Sequence, residues 1–173
     1  SIDWWKPMYT DNRSNFEAIE FVFKKPDSIN SKQMLFTTSG SSYTSTNPRF
    51  HWDLLLEQSS GLNRVKFRLS NEETGSVYHH TVGMKVNAVS MSTNYMTMSN
   101  GSLWNVLLQR MTSSISGSGT NTYELHVGRQ YEKQVKDYQY VTMSVSGGTT
   151  IDSNYRANQN WPSSSTLEFG FGH

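Results

Sequence analysis

The chain has 173 residues, a length that builds one well-buried core and requires no second domain. Charged residues make up 17% and the formal net charge is +1 at pH 7, so no strong field draws the chain onto nucleic acid or an anionic bilayer. Because the chain has no cysteine, disulfides, thiolate metal sites and thiol nucleophiles are excluded.

Ser, Thr, Asn and Gln must supply most of the polar surface, because charged residues are scarce while aromatic residues reach 13%. This composition is typical of secreted or particle-exposed β proteins, and it predicts a virion or extracellular location. No apolar run approaches the roughly 20 residues of a membrane span, so no membrane insertion is expected. The chain opens on Ser1 without a methionine, which favours one domain, 1–173, that is part of a longer chain.

Short runs of alternating apolar and polar residues dominate the first half of the chain. This period of two is that of a half-buried antiparallel strand. A stop is expected over 37–42, and a turn over 58–63 is expected to join two strands into a hairpin. The runs that predict strands are 16–24, 33–36, 50–57 and 64–69.

The stretch from 82 to 101 contains a stripe, a phase slip and a turn. An apolar alternation over 82–88 shifts by one residue near Val89 and Met91, which predicts a β-bulge. A short strand is predicted over 95–98. Asn100-Gly101 after it is the strongest two-residue turn signal in the chain.

The run 103–111 is apolar on both of its faces. Trp104, Val106 and Leu108 alternate to one side, while Leu103 and Leu107 keep the other side partly apolar. A strand of this kind is predicted to be central in its sheet and covered on both faces.

Three more strands are predicted near the end of the chain, at 123–127, 138–146 and 167–171. The polar segment 113–121 is expected to form a hairpin loop, and 149–165 is a long irregular excursion of the kind that tends to be functional or disordered. About ten short strands with frequent turns predict an all-β, antiparallel two-sheet fold rather than a parallel sheet with crossover helices.

The order of these motifs resembles the laminin-G-like, concanavalin A-like jelly roll. The segment 19–26 resembles that family's first core strand, where an aromatic alternation ends in Lys-Pro, and 167–172 resembles its glycine-containing strand near the end. The segment 100–110 resembles its Asp-Gly-x-Trp-His-x-Val signature, with Asn100 and Asn105 departing from the usual Asp and His. The resemblance implies a jelly-roll sandwich.

Two further expectations come with the resemblance. The family's final strand, which returns beside the first, is not reached by His173, so a neighbouring segment or another chain is expected to supply that edge. The cysteine-free, Ser/Thr/Asn-rich texture also resembles jelly-roll modules of bacteriophage virion proteins, which implies other subunits of a larger assembly as partners.

The carboxylates of the sequence do not form a catalytic pair. Sugar-cleaving relatives of the fold carry a Glu-x-Asp-x-x-Glu strand, whereas Glu17 and Glu20 fall on opposite faces of theirs. Asp53 and Glu57 share a face but lie about 13 Å apart along the strand, beyond the roughly 5 to 9.5 Å of glycoside hydrolysis. Glu124 is interpreted as an isolated, solvated charge. The sequence therefore predicts no enzyme activity.

Calcium is the cofactor that the resemblance implies, held at the sandwich rim by Asp or Asn side chains and backbone carbonyls. Asp53 is the candidate metal ligand, on the strand where the family often places an acidic one. A second carboxylate to join it is lacking, so the residues by themselves favour no cofactor. The neighbours His79 and His80 point to opposite faces of a strand, which disfavours a zinc site.

The long segment 149–165 holds the candidate ligand-binding residues. Flat rings stack on the apolar face of a sugar while amide groups bond its hydroxyls, and the same residue types suit a protein contact. These residues are Tyr155, Arg156, Asn158, Asn160 and Trp161.

Two functions stay open on the sequence. The leading hypothesis is a non-catalytic structural or adhesive module on the exterior of a larger assembly, such as a phage capsid or tail. The alternative is a lectin-like domain that binds surface glycans, with calcium assisting. A glycoside hydrolase ranks third because the carboxylates are badly spaced.

Overall fold

The computed structural model describes residues 17–29, 31–39, 50–72, 86–112, 120–146 and 166–169. These ranges contain nine β-strands: β1 Glu17–Lys24, β2 Lys32–Ser39, β3 Phe50–Ser59, β4 Leu62–Glu72, β5 Val86–Ser92, β6 Leu103–Thr112, β7 Thr120–Tyr131, β8 Gln134–Ser146 and β9 Thr166–Phe169. Nowhere in this part of the chain is there a helix long and apolar enough to cross a membrane.

The nine strands form two antiparallel sheets. One sheet has four strands in the order β1-β6-β7-β8, and the other has five in the order β5-β4-β3-β2-β9. The predicted all-β, antiparallel two-sheet architecture is confirmed. The expected strand beside β1 is not found among the described residues, where β1 pairs only with β6.

The inward faces of the two sheets pack together into one hydrophobic core. Ring contacts cross between the sheets: Phe67 of β4 lies 5.3 Å from Tyr123 of β7, and Phe21 of β1 lies 5.6 Å from Phe36 of β2, measured between ring centroids. Each large side chain buried in this way contributes roughly 1.5 to 3 kcal/mol. Other fully buried members are Leu54, Leu56, Val65, Leu69, Trp104, Val106, Leu108, Leu125 and Val127.

The β3–β4 hairpin is tighter than the predicted turn over 58–63. Ser59 pairs with Leu62, and only Ser60 and Gly61 lie between them, both with positive φ (51° and 79°). Two successive positive φ values match the right-handed twist of the flanking strands. The outer residues of the predicted turn therefore belong to the strands.

Strand β2 runs on to Ser39 and does not stop after Phe36 as predicted. It lies between β3 and β9, and its pairing partners on both sides hold Thr37 to Ser39 in the sheet. A register shift between Met34 and Phe36 brings Leu35 and Phe36 into the core cluster. Threonine suits a strand that neighbours on both sides support.

The predicted bulge near Val89 and Met91 is wrong. β5 pairs with β4 without interruption from Val86 to Ser92, with Met91 buried and Val89 packed against the core. The phase slip in the sequence therefore does not mark a break in the pairing of β5. The predicted strand over 95–98 is reduced to a single bridge between Asn63 and Met96.

The turn at Asn100-Gly101 forms as predicted, and it anchors the end of β1. Gly101 has φ +75° and its amide donates to the carbonyl oxygen of Lys25 at 2.9 Å. The Lys25 Nζ donates to Asn100 Oδ1 at 2.9 Å. The turn thus leads into β6 and does not close a hairpin with 95–98.

Strand β6 is central in its sheet as predicted, but it is not covered on both faces. Trp104, Val106 and Leu108 face the core, whereas Leu103 on the other face is 44% exposed. The residues on this outward side, together with those of β7 and β8, form the surface described next.

Near the β7–β8 turn, β7 ends later and β8 begins earlier than the sequence predicts. β7 extends to Tyr131, β8 starts at Gln134, and the turn residues Glu132 and Lys133 have φ 46° and 63°. Such values are unusual for residues other than Gly, Asn and Asp, and they explain why no turn was predicted there.

Candidate functional site

The candidate ligand residues of the segment 149–165 lie outside the described residues, and so do His79 and His80. The ones concerned are Tyr155, Arg156, Asn158, Asn160 and Trp161. Their role stays a prediction.

Asp53 lies on β3 with its side chain fully buried on the outward side of the five-stranded sheet. Thr37 Oγ1 donates to its Oδ1 at 2.7 Å, and Arg68 Nε donates to its Oδ2 at 3.0 Å. The guanidinium of Arg68 supplies the positive charge that a buried carboxylate needs. No group of three or more His, Asp or Glu that could hold a metal occurs in the described ranges, and calcium binding by Asp53 stays a prediction.

Glu57 shares the outward side of β3 with Asp53, as predicted, and is also almost fully buried. Arg64 binds its Oε2 through Nε at 2.8 Å and through a second guanidinium nitrogen at 2.7 Å. Lys66 and Lys32 lie 3.7 Å and 3.9 Å from Oε1. Both acids of this surface, which we call the charged face, are therefore paired with cations.

The outward side of β6, β7 and β8 is different. The antiparallel register places Leu107 beside His126 and His126 beside Tyr140, and it places Gln109 beside Glu124. With Tyr138, which lies two residues from Tyr140 on the same strand, these side chains form a continuous surface. We call this surface, Leu107, Gln109, Glu124, His126, Tyr138 and Tyr140, the β6–β8 face.

The two tyrosines of the β6–β8 face are open to solvent. Tyr138 is 56% exposed and Tyr140 is 47% exposed, and Tyr138 lies opposite the register shift that interrupts the β7–β8 pairing between Val127 and Arg129. Large exposed rings are costly to leave in water and are enriched where proteins bind other molecules. This exposure marks the face as the candidate site.

Glu124 is the centre of a hydrogen-bond network on this face. Gln109 Nε2 donates to its Oε2, and the hydroxyl of Tyr140 donates to its Oε1 at 2.9 Å. His126 Nε2 lies 3.5 Å from Oε2. The prediction that Glu124 is isolated is wrong, because Gln109 and Tyr140 reach it from the neighbouring strands and His126 lies two residues along β7.

The network shifts the titration of two of its members. The hydrogen bond from Gln109 lowers the pKa of Glu124, burial works in the opposite direction, and the bonds from Tyr140 and His126 lower it further. The hydrogen bond to Glu124 raises the pKa of Tyr140. At neutral pH the face therefore presents an ionised acceptor bound to a protonated phenol.

His126 joins the two tyrosines into one aromatic cluster. Its Nδ1 lies 2.6 Å from the hydroxyl of Tyr138. The centroid of its ring is 4.7 Å from that of Tyr140 and 6.0 Å from that of Tyr138, with the planes tilted. The phenols and the imidazole thus hold one another in place.

Asn105 extends the face toward β1. It pairs with Val22 on one side and Gly128 on the other, and its Oδ1 is buried without a hydrogen-bond donor among the described residues. A buried acceptor without a donor is costly and is uncommon in folded proteins. Gly128 adds no side chain here, and a Cβ at that position would lie 2.3 Å from Val135 Cγ1.

The sequence contains a signal for this face that an emphasis on apolar stripes passes over. The outward residues of 103–109 and 122–126 alternate as regularly as the inward ones, and they read Leu, Asn, Leu, Gln and Thr, Glu, His. Applied to outward residues, the same period of two predicts which of them share a surface.

Comparisons with protein-family models, with curated proteins and with solved structures found no match to this chain.

Proposed function

We propose that the protein is a non-catalytic adhesive module on the exterior of a larger assembly, such as a phage virion, and that it binds its target through the β6–β8 face. The observation that supports this most is the pair of exposed tyrosines, Tyr138 and Tyr140, held by His126 and Glu124. Exposed rings with fixed hydrogen-bonding groups are the usual elements of a recognition surface.

A jelly-roll sandwich of the laminin-G and concanavalin A kind is the fold we propose. Two long-range strand pairs support it. β1 pairs with β6 across an intervening meander of four strands that belong to the other sheet, and β9 returns to pair with β2. Such returns over long connections are the mark of Greek-key and jelly-roll topologies.

The composition supports an exterior location. With 17% charged residues and a net charge of +1, the polar part of the surface depends mainly on the amides and hydroxyls of Asn, Gln, Ser and Thr. Such a surface can lie beside protein subunits or a target surface without a strong electrostatic field. Other subunits of the assembly are the partners that this location implies.

The state of the described carboxylates favours binding over catalysis. A general acid at neutral pH needs a raised pKa, whereas the pKa of Glu124 is lowered. Asp53 and Glu57 are buried and bonded to Arg68 and Arg64, so their oxygens already have cationic partners within the protein.

Beads that carry the 173-residue chain test the adhesive function. We expect wild-type beads to be retained on at least one of a panel of bacterial and eukaryotic cell types. Beads carrying Tyr138→Ala with Tyr140→Ala are expected to be lost on washing, since the substitutions remove the rings from the face. Beads carrying Tyr95→Ala are the matched control, because Tyr95 is also exposed (39%) but stacks with Arg64 elsewhere. Equal retention of both variants, or none by the wild type, contradicts the proposal.

A further inference from the structure

Two other parts of the described chain carry clusters of charged side chains: the charged face and the tip of the β7–β8 hairpin. The charged face is closed by its own ion pairs, and the tip of the β7–β8 hairpin pairs Arg129 with Asp137 at 2.9 Å and places Lys136 5.0 Å from the ring centroid of Tyr131. The charged groups of both features are therefore already paired within the protein. The β6–β8 face has rings and polar atoms directed outward, and its chemistry restricts the class of ligand.

We infer that the target of the β6–β8 face is a neutral glycan, with the rings of Tyr138 and Tyr140 as the stacking surface and with Glu124 and Gln109 as hydroxyl-binding groups. This inference rests on the proposed adhesive function and names the ligand of the same site.

The charge of the face disfavours an anionic ligand, since the nearest cations, Lys24 on β1 and Lys136 on β8, lie at its ends and not beside Glu124. The outward positions from Leu103 to Gln109, Thr122 to Gly128 and Tyr138 to Ser144 hold one acid, Glu124, and neither Lys nor Arg. Phosphate, sulfate and nucleic-acid backbones are bound chiefly by Arg and Lys. A carboxylate at the centre of the face repels them.

The hydrogen-bonding groups match the hydroxyls of a sugar. A carboxylate has about four lone-pair sites, and the donors to Glu124 among the described residues are Gln109, Tyr140 and His126. This leaves capacity for one donor from outside. A sugar hydroxyl can donate to it and also accept from a neighbouring amide or phenol.

The row continues along β8 and β7 with groups of the same kind. Thr122 Oγ1 lies 3.2 Å from Ser144 Oγ, and Thr142 is exposed between Tyr140 and Ser144. Residues two apart on a strand are about 6.6 Å apart, so polar groups repeat at regular intervals along the face. A chain of sugar residues also presents hydroxyls at regular intervals.

Apart from Leu107, which lies beside His126, the apolar side chains near the face lie at its margin, which disfavours a protein partner. Val22 and Leu103 are 51% and 44% exposed at the end of the sheet near the Asn100-Gly101 turn. The centre is made of an imidazole, a carboxylate and an amide around the phenols. The core of a protein interface is depleted in charged residues, whereas sugar recognition combines rings with polar side chains.

Glu124 is suited to this role by its ionisation. Its lowered pKa keeps it an acceptor throughout the neutral range, and the hydroxyl of Tyr140 is held toward it. The ring of Tyr140 is thereby fixed before a ligand arrives, which reduces the entropy lost on binding.

An oligosaccharide array and titration calorimetry with the 173-residue chain test the inference. We expect binding to at least one neutral glycan and none to sulfated or phosphorylated ones. For the glycan found, Tyr138→Ala and Tyr140→Ala are each expected to weaken affinity by about tenfold or more, and Glu124→Gln by several-fold. Tyr95→Ala should stay within twofold. Far-ultraviolet circular dichroism of each variant confirms that it folds.

Three outcomes would overturn the inference that the ligand is a neutral glycan. These are binding to no neutral glycan on the array, stronger binding to a sulfated glycan, and a Tyr95→Ala variant that loses as much affinity as Tyr140→Ala.

Treatment of cells with periodate, which cleaves vicinal diols, separates this inference from the adhesive function. Loss of bead retention on treated cells is expected. Retention that survives periodate but is abolished by protease overturns the glycan and leaves the adhesive function standing. Wild-type beads that bind no cell type remove the adhesive function.

Discussion

The outward sides of the two sheets hold their acidic residues in different ways. Each carries an acid on a central strand, Asp53 on β3 and Glu124 on β7. Asp53 is fully buried and bonded to Arg68, whereas Glu124 is partly exposed and bonded to Gln109 and Tyr140. The charged face thus neutralises its acids with cations, while the β6–β8 face surrounds its acid with an amide, a phenol and an imidazole.

This difference indicates that Asp53 has a structural role and that Glu124 has a role in recognition. A buried carboxylate without a counter-ion costs several kcal/mol, so the pair of Asp53 and Arg68 has a structural role. A partly exposed carboxylate keeps its hydration and can exchange water for a ligand hydroxyl. Of the two acids, Glu124 is therefore the one available for binding.

Substitution of Asp53 is expected to have the largest effect on stability. Asp53→Ala leaves Arg68 and Thr37 without the carboxylate between them, and we expect a loss of about 3 to 5 kcal/mol. Glu124→Ala on the other face is the matched control and should cost below about 1 kcal/mol. Urea unfolding followed by tryptophan fluorescence measures both. Similar losses for the two variants would remove the distinction between the faces.

A tyrosine of the core and a tyrosine of the β6–β8 face should differ almost as much. Tyr123 is fully buried against Phe67, and Tyr140 is 47% exposed. Tyr123→Ala is expected to cost about 3 to 5 kcal/mol, and Tyr140→Ala to leave the unfolding midpoint close to that of the wild type. The midpoints of thermal unfolding give the comparison. A large loss for Tyr140→Ala would show that the ring is structural and not kept for a ligand.

Double-mutant cycles are expected to show a smaller difference. The coupling of Asp53 with Arg68 should be about 1.5 to 3 kcal/mol, since both groups are charged and the acid is buried. The coupling of Glu124 with Gln109 should be about 0.5 to 1 kcal/mol, because water competes for both. Unfolding free energies of the single and double variants give these values, and equal couplings would contradict the contrast.

The pH dependence of stability should show the smallest effect. The pKa of Glu124 is lowered by folding, so its contribution is fully present above the unfolded value of about 4.3 and is lost as pH falls through the folded value. The pKa of Tyr140 is raised, so its contribution is present below about 10 and is lost as pH rises through the folded value.

Glu124→Gln is expected to reduce the loss of stability in acid, and Tyr140→Phe the loss in alkali. Unfolding free energies between pH 3 and 6, and again between pH 9 and 11, test this. A Glu124→Gln variant with an unchanged acid profile would mean that the hydrogen bonds to Glu124 do not favour its ionised form.

Much of the fold could be predicted because strand patterns are local. The alternation of Ile19 with Phe21 and of Val65 with Phe67 and Leu69 identified β1 and β4, and these residues reach the core as predicted. The predicted β5 bulge was wrong because β5 pairs with β4 without a register shift from Val86 to Ser92, and strand preferences differ between the two faces of an edge strand.

The candidate site was predicted less well, for a reason that lies in the chain's own pattern. The register of β6 and β7 brings Gln109 and Glu124 together, whereas Glu124 and Tyr140 meet because β8 begins at Gln134 and its pairing with β7 shifts by one residue between Val127 and Arg129. That start depends on the turn at Glu132 and Lys133, which both have positive φ values. The residues that usually indicate such a turn, Asn and Gly, are absent there. Without the turn, the register of β8 could not be known.

The sequence by itself determined which residues lie inward and which lie outward on most strands, because side chains alternate with a period of two whatever the strand pairs with. The tertiary structure alone decided which outward residues meet, because Thr37 with Asp53 and Tyr140 with Glu124 come from different strands and depend on register. It also decided that Asp53 is buried and that Glu124 is left accessible, since burial depends on what packs above a sheet and not on the strand itself.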